Sequence, residues 1–281
     1  MQTWIRKHQL LAFFGLTFLL SWSIWVPMAL DRYALLPVRL NPTYVQLGRM
    51  LGTFGPAVSA ILIARWARGR PGVRTLLGQL GKWRVGWGWW AAATLVYPLL
   101  VFIVAGLYVL LPGSVPLPFQ PVSLSSVMVT AIILTLTVLG EEIGWRGFAL
   151  PHLQQRFPAL QSSLLLGTIH TFWHLPFWIV LGELDQFGWS YWLISWAFVL
   201  ALTIYLTWLM NNTGNSVLMA LLLHGCYNLV SVIYLPITTV VPAYGIFTIL
   251  AWIIAIGLIL RYGAQRLRRT DEAQRLVPAA G

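Results

Sequence analysis

Residues 129–146 read VTAIILTLTVLGEEIGWR: an uncharged apolar run that ends on two adjacent acids, Glu141 and Glu142, with Arg146 one helical turn later. Extended to 125–149, the stretch exceeds the roughly 20 residues a helix needs to cross the hydrocarbon core of a bilayer. Ionisable side chains at that depth cost at least about 2.5–3.5 kcal/mol each on insertion scales. A membrane helix that keeps three of them has a use for them.

Seven further windows qualify or nearly do, at 9–30, 48–66, 88–112, 162–181, 188–210, 215–235 and 243–262. The composition agrees. Of 281 residues, 58% are hydrophobic and 9% charged, against about 45–50% and about 25% in ordinary soluble domains. Lipid must solvate part of this surface. The expected fold is an all-α, polytopic membrane helix bundle of about eight transmembrane helices, forming one integral domain over 1–281. The apolar run that begins after Arg6, Lys7 and His8 is too long for a signal-peptide core and lacks a small-residue cleavage site, so it reads as an uncleaved first span. The basic stretch 65–87 and the Pro-rich stretch 112–124 read as the larger connections.

A net charge of +11 would suit nucleic acid. However, most basic residues flank apolar runs, where membrane orientation accounts for them, and no nucleic-acid partner is expected. Arg6, Lys7, six basic residues between Arg65 and Arg84, Arg156 and the arginines from Arg261 onward fall on one side. The positive-inside rule then puts both termini in the cytoplasm, as an even number of spans requires, with a basic tail at 263–281 against anionic lipid heads. Sixteen tryptophans suit membrane interfaces. Cys226 is the only cysteine, so no intrachain disulfide can form.

The polar residues gather in three spans. The fourth carries Glu141, Glu142 and Arg146, the fifth His170 and His174, and the seventh His224 and Asn228. Glu142 and Arg146 stand i,i+4 with the acid first, the favourable order for an ion pair on one face. Glu141 is rotated about 100° from Glu142 and must face something else. His170/His174 and His224/Asn228 are also i,i+4 and share faces. Counted from the cytoplasmic ends, the groups lie in that half of the bilayer or near its midplane and can meet in a water-filled cavity. Pro176, inside the fifth span, predicts a kink beside His174.

In this order the motifs resemble those of the CPBP intramembrane proteases, the CAAX-protease and bacteriocin-processing (Abi) family. They are Glu141-Glu142-x-x-x-Arg146, then His174 in Trp173-His174-Leu175-Pro176, then His224-x-x-x-Asn228. The likeness covers about 125–235. It implies peptide-bond hydrolysis within the membrane, with Glu141 and His174 activating water and His224 and Asn228 stabilising the oxyanion. Glu142 and Arg146 would support them. The implied partner is a membrane-associated peptide or protein, including prenylated ones. His170 departs from the usual pattern, since the family places an aromatic residue there, and it is expected in a supporting role.

A cofactor is not favoured, although zinc competes. Two histidines at i,i+4, a third histidine and a carboxylate match zinc's ligand types, with Glu141, His174 and His224 the expected set. Yet the helical zinc-protease signature puts Glu directly after the first histidine, where Thr171 stands. Cys226 lies two residues from His224 and points off its face, so it is no nucleophile beside it. Two other functions use the same residues. One is a non-catalytic membrane scaffold or bacteriocin immunity protein, a role with precedent in the family. The other is a proton- or metal-coupled transporter, which ranks last because no internal repeat is evident.

Overall fold

The structure is a computed structural model that describes residues 2–114, 117 and 123–268; within these, nothing is said of the side chains of residues 2, 3 and 232–234. Among the described residues all regular structure is helical. The elements are α1 (Gln2–Lys7), α2 (Gln9–Arg32), α3 (Pro42–Leu51), α4 (Gly55–Gly78), α5 (Trp87–Thr94), α6 (Val96–Tyr108), α7 (Leu124–Gly144), α8 (Leu150–Leu153), α9 (Ala159–Trp173), α10 (Leu175–Leu181), α11 (Glu183–Asn212), α12 (Val217–Asn228) and α13 (Val241–Tyr262). Side-chain caps start several of them. Asn41 accepts from Thr43 N–H before α3, and the Ser123 and Ser216 hydroxyls accept N–H bonds at the starts of α7 and α12.

Among the described residues, five stretches are long and apolar enough to cross a membrane: Gln9–Arg32, Pro42–Gly81, Leu124–Leu153, Glu183–Asn212 and Val241–Tyr262. Two bent pairs, α5/α6 at 41° and α9/α10 at 42°, raise the number to seven. Val217–Ser231 is a shorter apolar helix in the remaining window. The chain is a multi-pass membrane protein. Two details differ from expectation. The basic stretch after residue 65 is mostly helical, in two segments that meet at a kink where Gly69 adopts the non-helical φ 68°. The 215–235 window is only α12 plus a π-helical turn at Leu229–Tyr234, too short to cross as a straight rod. The tail beyond Arg268 lies outside the described residues.

The core is built around α11, buried on every face from Ala201 to Met210, as a helix apolar all round should be. Gly167 lets α9 approach it, since a Cβ there would lie 3.0 Å from a Leu200 methyl group. The Ser163 hydroxyl donates to Thr207 Oγ1 at 2.7 Å across the same contact. On the other side α7 lies against α4, where a Cβ on Gly144 would stand 2.6 Å from the Pro56 carbonyl oxygen. Trp22 and Trp25 of α2 brace the rest, their indole N–H groups donating to the carbonyls of Trp173 and Gly48 at 3.1 Å each.

The α4–α7 contact therefore admits hydrogen and nothing larger. Gly144→Ala should cost about 1–3 kcal/mol, the usual range for an overpacked core, read as a lower unfolding midpoint in detergent micelles. Gly257→Ala on α13, with open space at its Cβ, should leave the midpoint unchanged or raise it, since alanine is the better helix former.

Candidate active site

Six of the expected site residues lie in two adjoining groups set by the 100° step between neighbouring residues of α7. Glu142 is fully buried, and its Oε1 is shared. Arg146 donates to it at 2.9 Å and His224 Nδ1 lies 2.8 Å away. Arg146, also buried, reaches Thr203 of α11 with its other terminal nitrogen at 3.4 Å. The expected Glu142–Arg146 pair is present, and it extends to α12 through His224.

Glu141 faces α9 instead. Its Oε2 lies 3.0 Å from His170 Nε2, and its Oε1 lies 3.9 Å from His174 Nε2. The His174 ring is turned by a bond from Nδ1 to the His170 carbonyl at 3.3 Å. Nδ1 must carry the proton to donate there, which leaves Nε2 as a lone pair facing the carboxylate. Aromatic rings hold this imidazole on several sides, with the Trp173 ring centroid 4.5 Å away and Trp178 stacked at 5.6 Å. His174 also closes α9, where the chain bends by 42° ahead of Pro176. The sequence located that bend correctly.

The side chains differ in access. Glu142 and Arg146 are 0% and 1% exposed, Glu141 7%, His224 11% and His174 18%. The site therefore opens on the side of His174 and His224, with the ion pair behind it. Asn228, one turn from His224, is half-buried, and among the described residues its amide has no hydrogen-bond partner.

Two features were not read from the sequence. The segment Trp145–Ala149 directly after α7 is π-helical, with the Leu150 N–H bonded to the Trp145 carbonyl five residues back. A second π turn follows Asn228. Such turns are frequent at functional sites. The first had a signal: Pro151 has no N–H for the Gly147 carbonyl, and Gln79 Nε2 donates to that carbonyl at 3.0 Å instead.

The expected metal set is corrected. Among the described residues the group whose donor atoms all lie within 4.8 Å of one another is Glu141, His170 and His174. His170 replaces His224 because His224 Nδ1 is engaged by Glu142 on the other face of α7. These three offer suitable ligand types for a metal ion and leave room for a further ligand. The fit is incomplete: His170 Nδ1 is buried without a partner, whereas a ligating histidine almost always donates from its second nitrogen.

Arg146→Met should strip Glu142 of its buried counter-charge and cost about 3–5 kcal/mol. Adding Glu142→Gln should recover part of that loss. Denaturant titration of the purified variants in micelles reads both. A single variant as stable as the parent would mean that some other group balances the carboxylate.

Comparison with known proteins agrees with the motifs. Residues 121–230 match the family model described as type II CAAX prenyl endopeptidase Rce1-like. A stretch of 101 residues is 32% identical to CAAX prenyl protease 2 of Methanococcus maripaludis, covering 34% of this chain and 37% of the relative. The chain thus spans somewhat over a third of that protein's length. The stretch that holds the acidic pair, the histidine before Leu175-Pro176 and the His224/Asn228 pair is thus similar to CAAX-type prenyl endopeptidases.

Proposed function

We propose that the chain is an intramembrane endopeptidase that hydrolyses a peptide bond of a membrane-associated protein or peptide, prenylated CAAX polypeptides included. The supporting observation is the 3.9 Å gap between Glu141 Oε1 and His174 Nε2. It is too long for a direct hydrogen bond, yet a water oxygen about 2.8 Å from both atoms closes the triangle. In this reading Glu141 takes the water proton as the oxygen attacks the scissile carbonyl carbon, while His174 Nε2 accepts a hydrogen bond from the same water and orients it. The carbonyl π pair moves onto oxygen. That oxyanion is met by the Nε2–H of a doubly protonated His224, whose ring is aimed by donation from Nδ1–H to Glu142, and by the unpartnered Asn228 amide. Preorganised donors of this kind are worth about 3–4 kcal/mol each. Collapse of the intermediate breaks the C–N bond, and the leaving amine takes the proton held by Glu141.

His170 acts on Glu141 rather than on substrate, steadying one carboxylate oxygen so that the other faces the water. We read the chemistry as metal-free, in keeping with the partnerless His170 Nδ1. Zinc, if it were used, would sit on Glu141, His170 and His174 and supply a Lewis acid. The chain forms one membrane domain in this reading, with its protease-like core at about 125–235 and both termini and the basic tail on the cytoplasmic side.

The test is cleavage of a liposome-anchored CAAX peptide by purified protein. Glu141→Gln and His174→Ala should each lose about 100- to 10,000-fold in rate, the usual worth of general acid–base groups. His170→Phe should lose only about 10- to 100-fold, as for a supporting residue. Undiminished cleavage in Glu141→Gln would end the proposal. Stoichiometric zinc in active protein, with activity lost to chelators and restored by zinc, would replace the metal-free version.

A further inference from the structure

On the end of the bundle that carries the basic residues lies a second cavity, of about 410 Å³ and apart from the Glu141 site. That volume is within the range of small-molecule sites. Its making begins at Gly69. The positive φ there reverses the chain, and Gly72 packs so closely that a Cβ would stand 2.6 Å from the Ala64 carbonyl oxygen and 2.8 Å from Arg68 Cβ. The segment after the break is thereby folded against the turn before it, and Arg68 and Arg74 come to line one space. Lys82 and His152 line it too. Among the described residues no acid lines it, and neither arginine has a carboxylate partner.

The cavity is also supplied with groups that are not salt-bridge formers. The His152 Nδ1 bonds the Phe148 carbonyl at 2.7 Å, while its Nε2 is buried without a partner. Gln79, another lining residue, donates to the Gly147 carbonyl at 3.0 Å, and its Oε1 is buried and unpaired. Three cationic side chains call for an anion, and two unpaired acceptors call for hydroxyl donors beside it. A basic pocket between helix ends at a membrane surface is the setting in which lipid phosphates bind.

We propose that this cavity binds the phosphodiester headgroup of an anionic phospholipid, a hydroxylated one such as phosphatidylglycerol in particular. The bound headgroup would rest against Gln79, which holds the Gly147 carbonyl in the π turn carrying Arg146. The inference stands independently of the peptidase reading, because its readout is lipid binding.

The experiment is native mass spectrometry of the full chain released from micelles containing phosphatidylglycerol, phosphatidylcholine or inorganic phosphate. Phosphatidylglycerol should stay bound where phosphatidylcholine does not, and millimolar phosphate should not displace it. Arg68→Gln and Arg74→Gln, both at exposed side chains, should each weaken retention about fivefold. Arg266→Gln, at the same end but outside the cavity, should not. Equal retention of both lipids, loss of retention to free phosphate, or unchanged retention in both cavity variants would each overturn the assignment. Should either variant misfold, Lys82→Gln carries the same expectation.

Discussion

Two carboxylates on consecutive residues of one buried helix cannot face the same way. That constraint organises this protein. Glu141 and Glu142 diverge by about 100° around α7, and a buried charge needs its own partner to be tolerated at all. Two other helices must therefore bring basic or donating groups to two different faces of α7. Helix α9 does so with His170 and His174, and α12 with His224. The packing that makes this feasible is the close approach of α7 to the Thr53–Phe54 turn at Gly140 and to α4 at Gly144, and of α9 to α11 at Gly167. Small residues at these crossings are what a membrane bundle uses in place of a hydrophobic driving force.

The π turn after Gly144 follows from the same demand. An α-helix continued regularly would meet Pro151 with an unpaired Gly147 carbonyl in an apolar interior. The wider turn and the Gln79 amide together absorb the defect. Arg146 sits within that turn and still reaches Glu142 at 2.9 Å, so the irregular backbone is compatible with the ion pair that the regular spacing suggested.

What could be read from the sequence were relations within one helix. Apolar length located the spans, i,i+4 spacing gave the Glu142–Arg146 pair and the shared face of His170 and His174, and Pro176 marked the bend. Relations between helices were not legible. Nothing in the spacing of α12 says whether His224 turns to Glu141 or to Glu142, and this is why the expected metal set named His224 where the geometry has His170. The helical character of the basic segment after α4's kink was hidden for another reason. Gly69, Pro71 and Gly72 read as a loop, yet the break is confined to the single positive-φ Gly69 and helix resumes directly after it.

The contrast between the two acids carries the functional argument further. Glu142 is saturated on one oxygen by two donors and has no exposure, so it can hold positions but cannot exchange a proton with anything that enters. Glu141 has one oxygen steadied by His170, and the other stands 3.9 Å from a histidine lone pair on the accessible side. Had His174 closed that distance, the pair would be one more structural bond, with no place between the two groups for a reactant. In the proposed mechanism a gap wide enough for a water oxygen, beside a buried ion pair, is what would let Glu141 react while Glu142 holds the packing.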